Sequence, residues 1–223
     1  MSPASSTGKA VLLAVAGLAV LGLALAGPRV AKPLLMAAPN CRAGRWHGCL
    51  DTENGVVLMT LIGLPLAVLV AWGLAARRRA AGVGSAWRTS LAEVGMVYGT
   101  APWVWMTIMM PGSGAGIVPA RVSLVPLRDL VTMGPVGIIG NLLVFAALGF
   151  FAPIRFATLA SVPRLLALGA FGSILIETAQ YALQLDRVSS VDDVLVNAVG
   201  AGLAGLLSRP WWSGPRSTAR TSP

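Results

Sequence analysis

Glu177 is the side chain that most demands a chemical account. It is the only charged residue in the run 165–185, and an ionisable group inside a bilayer is costly enough to mark a candidate functional site. Gln180 and Tyr181 follow at three and four positions, which puts them on the same helical face. Asn141 and Asn197 each lie about five residues into an apolar stretch, roughly 8 Å deep at helical rise, and Glu177 lies about 11 Å deep by the same measure. Asp192 and Asp193 complete the set. Ser190-x-x-Asp193 fits an N-cap with an acid at N3, where a carboxylate complements the helix dipole. Capping needs one acid, so the second is left over. Arg121, Arg128 and Arg187 flank these positions as charge partners. Carboxylates and amides of this kind orient amine, hydroxyl or sugar groups, while an arginine meets phosphate or carboxylate. The plainer readings are interhelical hydrogen bonding for the asparagines, a cap and its solvated neighbour for the Asp pair, and a structural role for Glu177.

The elements that must position these residues are membrane helices. Of 223 residues, 56% are hydrophobic and 11% charged, against about 25% charged in soluble domains. Charge-free runs predict six helices, at about 10–27, 56–76, 90–110, 136–154, 165–185 and 191–211, each near the roughly 20 residues a span needs. The fold class expected is all-α, a polytopic membrane bundle, since the Ala/Gly/Leu/Val runs lack the alternation of a membrane barrel. The first run also reads as a signal peptide, with Lys9 before it and Ala24-Leu25-Ala26 as a cleavage site. Its 17-residue length favours a retained span.

With the N-terminus inside, ten basic residues, among them Arg77-Arg78-Arg79, fall in inner segments and seven in outer ones, so both termini are placed in the cytoplasm. Residues 1–9 are then a cytoplasmic start, and 10–120 a three-helix membrane region with an outer loop at 28–55. Residues 121–211 form a second three-helix region, and 212–223 a disordered cytoplasmic tail. Six acids fall in the outer segments, leaving the inner face nearly pure in arginine and suited to anionic lipid. Glu93 begins the third span close to Arg88, and interfacial anchoring accounts for it.

The net charge of +9 does not signal nucleic acid, because no recognition helix, zinc spacing or aromatic-interleaved basic patch accompanies it. Cys41 and Cys49 share the first outer loop, the compartment where a disulfide persists; two free thiols are the alternative. His47 alone builds no metal site, and neither metal nor cofactor is expected. Gly134, Gly137 and Gly140, together with Ala198-x-x-x-Gly202 and Ala201-x-x-x-Gly205, are expected to let helices approach closely. Pro65 is expected to kink the second span.

Residues 121–208 resemble the VanZ-like family. The resemblance rests on Ser123-Leu124-Val125-Pro126-Leu127-Arg128, Asn141-Leu142-Leu143-Val144-Phe145, Leu148-Gly149-Phe150 and Pro153. It continues through Ile176-Glu177-x-x-Gln180, Arg187, Asp192-Asp193-Val194-Leu195, Asn197 and Gly200. Ala146-Ala147 departs from a frequent proline, and the first 110 residues carry little of the likeness. The resemblance implies a multipass membrane protein related to one that gives low-level teicoplanin resistance. It maps family positions onto Asn141, Glu177, Gln180, Arg187, Asp192, Asp193 and Asn197.

The leading expectation is a binding or shielding protein at the outer membrane face. Its pocket, rimmed by Arg128 and Arg187, would take an envelope lipid, a lipid-linked cell-wall precursor or a lipophilic glycopeptide. The rival is an intramembrane hydrolase or transferase of envelope lipids, in which Glu177 and an ionised Asp192 or Asp193 do acid–base work. Against the rival, no Ser–His pair, metal cluster or phosphate-binding loop is present. A transporter ranks last, because only Glu93 offers a polar group near the inner side.

Overall fold

The computed structural model describes residues 31–32, 34–110, 121–185 and 188–212. The expected first span, the tail beyond 212, Asp186 and Arg187 lie outside the described residues. The chain divides into two compact units, Met1–Met59 and Thr60–Pro223.

In the first unit, residues 34–42 are helical (α1) and Cys41 is joined to Cys49. Asp51 accepts from the Gly48 amide at 2.6 Å and pairs with His47 Nδ1 at 2.8 Å. These contacts, His47 foremost, hold its carboxyl below the usual range. Thr52 Oγ1 accepts from the Gly55 amide at 3.2 Å, capping the start of α2 (Glu53–Ala80). This helix continues through Pro65. Its exposed Leu61, Ile62, Leu66 and Leu69 show an apolar surface on more than one side, as a lipid-facing helix requires.

The second unit is a helical bundle. It contains α3 (Ala86–Met109), α4 (Leu130–Val144), α5 (Ala146–Arg155), α6 (Val162–Ala182) and α7 (Val191–Ser208). Two three-residue strands, β1 (Arg121–Ser123) and β2 (Val188–Ser190), pair in parallel. Among the described residues, four stretches are long and apolar enough to cross a membrane: Glu53–Ala80, Leu130–Arg155, Val162–Ala182 and Val191–Trp211. The fold is thus an all-α membrane bundle. α3 is 24 residues long but is not among those four; its Arg88, Glu93 and polar Thr and Ser positions dilute its apolar character.

The expected fourth span, 136–154, is divided between α4 and α5 at Phe145, and α4 is also broken just ahead of that span. Gly134 adopts φ 70°, ψ 165° immediately before Pro135, a left-handed conformation open to glycine without steric cost. Pro135 then suits the start of the next helical stretch. A second break at Phe145, φ −112° and ψ 13°, turns its ring into the core beside Val144, Ile176 and Ala201, with Trp103, Val104, Ile108 and Leu148 packed around them.

α7 lies against α4, α5 and α6, and small residues make that possible. A Cβ on Gly200 would stand 2.0 Å from the Leu142 carbonyl oxygen, and one on Gly149 would stand 2.1 Å from that of Ala201. Only hydrogen fits at such crossings. Gly202 and Gly205 similarly face Leu166 and Leu165, as the small-residue spacing on α7 predicts. The Gly134/Gly137/Gly140 series behaves differently. Gly134 serves the break, Gly140 has open space where its Cβ would be, and Gly137 meets only Met133 of its own helix. Spacing alone did not reveal that, among the described residues, this face of α4 has no helix against it.

Candidate functional site

The site forms where the N-termini of α4 and α7 meet. Parallel pairing of Arg121 with Val188, Val122 with Ser189 and Ser123 with Ser190 draws the two helix entrances together. Each helix start exposes N–H groups without intrahelical partners; those of α4 are taken by Asp192 of α7, and that of Asp192 by the α7 N-cap Ser190, whose hydroxyl in turn donates to Asp129 at the start of α4.

Asp192 performs the larger part of this exchange. Its carboxylate accepts from the main-chain N–H groups of Leu127 at 2.6 Å, Asp129 at 2.8 Å and Leu130 at 3.0 Å. It is 1% exposed. Leu127 holds φ 66°, a left-handed conformation that costs a branched residue energy, and its bond to Asp192 fixes that turn. From the opposite side, Asp129, the N-cap of α4, accepts from Ser190 Oγ at 2.7 Å. The hydroxyls of Ser123 and Ser190 hold the Asp129 carboxyl below its usual range.

Ser190 is the N-cap of α7, and its side chain accepts from the Asp192 amide at 3.2 Å. The expected cap position is therefore correct, but its completion differs from a capping box. The Ser190 main-chain N–H, which an acid at N3 would take, donates instead to Glu177 Oε2 of α6 at 3.1 Å. Asp193 at N3 receives Asn141 Nδ2 of α4 at 2.5 Å. Ser189 Oγ adds a bond to the Glu177 carbonyl oxygen at 3.0 Å.

Four of the residues singled out in the sequence are thus joined through the segment 188–193: Asn141, Glu177, Asp192 and Asp193. Arg128 is exposed beside Asp129. Gln180 and Asn197 are not part of this group. Gln180 is buried and donates to the Thr107 carbonyl oxygen of α3 at 2.7 Å, and Asn197 donates to Ser173 Oγ of α6 at 2.7 Å. Tyr181 is 50% exposed. Residues at three and four positions share a face only broadly, since Gln180 and Tyr181 are separated by about 100°; that arc is enough to turn one inward and the other out. Asp129 and Ser189 belong to the cluster and were not among the selected site residues. The signal for Asp129 was its place just ahead of an apolar helix, the ordinary position of an N-cap acid.

Chemically, the cluster sets carboxylates at two helix N-termini, where the dipoles favour negative charge. Asp192 spends its acceptors on main chain, which makes it a positioning group. Glu177, Asp193 and Asn141 are half-buried and are bonded into the same junction, Glu177 to the Ser190 amide and Asp193 to Asn141. Among the described residues, no group of three or more His, Cys, Asp or Glu is arranged to hold a metal ion.

No curated protein and no solved structure matches the chain. The family model described as VanZ/LLP1 matches residues 96–212, beginning within α3 and so earlier than the likeness read from the sequence. That match takes in α3 to α7, β1, β2 and the whole capped junction, and the chain belongs to the VanZ-like family.

Proposed function

We propose that this VanZ-like protein binds or shields a ligand at the outer face of the membrane, and thereby contributes to glycopeptide resistance of the teicoplanin type. The observation carrying this reading is the union of Glu177, Asp193 and Asn141 at a junction held rigid by Asp192. A preorganised set of carboxylate and amide groups recognises amine, hydroxyl and sugar functions with little ordering cost. Arg128, and Arg187 in the adjoining loop, would receive phosphate or carboxylate. An envelope lipid, a lipid-linked cell-wall precursor and an acylated glycopeptide all combine such groups with an apolar tail suited to a membrane site. The acid–base enzyme is the alternative reading, and in it Asp193 is the partner of Glu177, because Asp192 is engaged by three main-chain donors.

The test is teicoplanin sensitivity of cells carrying Glu177→Gln or Asp193→Asn at equal membrane abundance. Both variants keep an acceptor oxygen and remove charge, so they are expected to restore sensitivity without unfolding the junction. Unchanged sensitivity in both removes the cluster from the explanation. Turnover of labelled lipid-linked precursor by purified protein, abolished in Glu177→Gln, would instead establish the enzyme.

A further inference from the structure

The far end of the bundle, about 24 Å along α7 from Asp192 at helical rise, has the opposite electrostatic character. Glu93 is the only carboxylate among the described residues there, and it is taken by Arg78 at 2.5 Å and Arg155 at 2.5 Å. Arg77, Arg79, Arg88, Arg164 and Arg209 are exposed at the same end with no carboxylate partner among the described residues. Between α3, α5 and the short helical turn Arg209–Trp211 lies a cleft of about 150 Å³ lined by Arg88, Leu91, Ala92, Phe151, Ile154 and Trp211. Its walls are apolar apart from Arg88, whose guanidinium is anchored by a hydrogen bond to the Trp211 carbonyl oxygen. One of its five N–H donors is so used, and no other side chain or main-chain acceptor among the described residues takes the rest.

We propose that this cleft is a binding site for an anionic phospholipid of the surrounding membrane. The proximal part of an acyl chain lies along Leu91, Phe151 and Ile154, and the phosphate meets Arg88. The charge at this end selects the headgroup, because basic pockets between membrane helices attract anionic lipid. The exposed Trp211 indole, with its ring centroid 6.0 Å from that of Phe150, suits the headgroup level. This site is separate from the carboxylate junction and does not rest on the function proposed for it.

The experiment is native mass spectrometry of the full-length protein released from detergent with phosphatidylglycerol or phosphatidylcholine of matched chains. Phosphatidylglycerol is expected to be retained preferentially. Arg88→Gln should lower its retention about tenfold, the loss of one charge-assisted contact, while Arg88→Lys keeps most of it. Leu91→Trp, at an exposed position, should fill the cleft and reduce retention of both lipids. Equal retention of the two lipids by the unaltered protein, or indifference to both Arg88→Gln and Leu91→Trp, overturns the proposal. So does displacement of phosphatidylglycerol by inorganic phosphate, which would identify an anion site without a lipid chain.

Discussion

The two ends of the bundle hold buried or half-buried carboxylates by opposite means. At one end Glu93 lies between the guanidiniums of Arg78 and Arg155, with Arg78 also donating to the fully buried Ser90 hydroxyl at 2.6 Å. That arrangement ties α2, α3 and α5 together through side chains with long, flexible stems. At the other end Asp192 is held by three main-chain N–H groups, and the short side chains of Ser190, Asp129 and Asn141 complete the set. Main-chain donors have no rotamers to lose, so the Asp192 end fixes its geometry closely. The Glu93 end is a network of neutralised charge that tolerates small displacements. A recognition site needs the first property; an anchor needs only the second.

The sharpest way to break this comparison is Asp192→Ala. Three main-chain donors would lose the buried carboxylate they share, and the φ 66° turn at Leu127 would lose its restraint. The expected destabilisation is about 3 kcal/mol or more, read as loss of the monodisperse folded peak in fluorescence-detected size exclusion. A loss below about 1 kcal/mol would mean that the junction is held otherwise.

The rod joining the ends gives the next effect. Gly200→Ala forces a Cβ onto the Leu142 carbonyl oxygen and should cost about 2 kcal/mol. Gly140→Ala, where the space is open, should be neutral or gain up to about 1 kcal/mol from helix propensity. Thermal unfolding in detergent separates the two, and equal effects would contradict the packing described here.

Glu93→Gln tests the other end. It should cost about 1 kcal/mol, as expected for a partly exposed ion-pair network. Added salt should weaken the unaltered protein and barely affect the variant, because a Debye length near 10 Å at 0.1 M screens such pairs. Asp192→Asn should show no comparable salt response.

The smallest effect is acid sensitivity at Asp129. Its carboxyl is held below the ordinary 3.8, so the ionised form is the one the fold favours. The stabilisation is fully present above that ordinary value and is lost as pH falls through the depressed folded value. Asp129→Asn should therefore flatten the acid limb of a melting-temperature profile below about pH 4 and leave the neutral region nearly unchanged. An unchanged acid limb would remove Asp129 from the junction's energetics.

Much of this was legible in the residues. Charge-free runs located α2, α3, α6 and α7 to within a few residues, because exclusion of charge from lipid is a local property of composition. Ser190 was legible as an N-cap, and the small residues of α7 as a close-packing surface. Other features were not legible in the same way. Glu93 was read as an interfacial anchor at the start of its span, but the sequence did not show that its partners are Arg78 and Arg155 while Arg88 reaches Trp211. Sequence neighbours do not reveal which helix ends meet. The span at 136–154 reads as continuous, since a break at Phe145 changes neither apolarity nor charge.

The amino-acid order by itself therefore determined that the chain is a membrane bundle and that Asn141, Glu177, Gln180, Asp192, Asp193 and Asn197 need an account of their polarity. Only the tertiary structure decided which account each receives. Asp192 caps another helix, Asn141 reaches Asp193, and Glu177 takes the Ser190 amide. Gln180 and Asn197 turn to α3 and α6 instead. The physical reason is that depth in a membrane follows from position along a chain, whereas partnership depends on the rotation of each helix about its own axis. That rotation is set by the glycine and alanine contacts of α7 with its neighbours, and by the β1–β2 pairing that brings two helix entrances face to face.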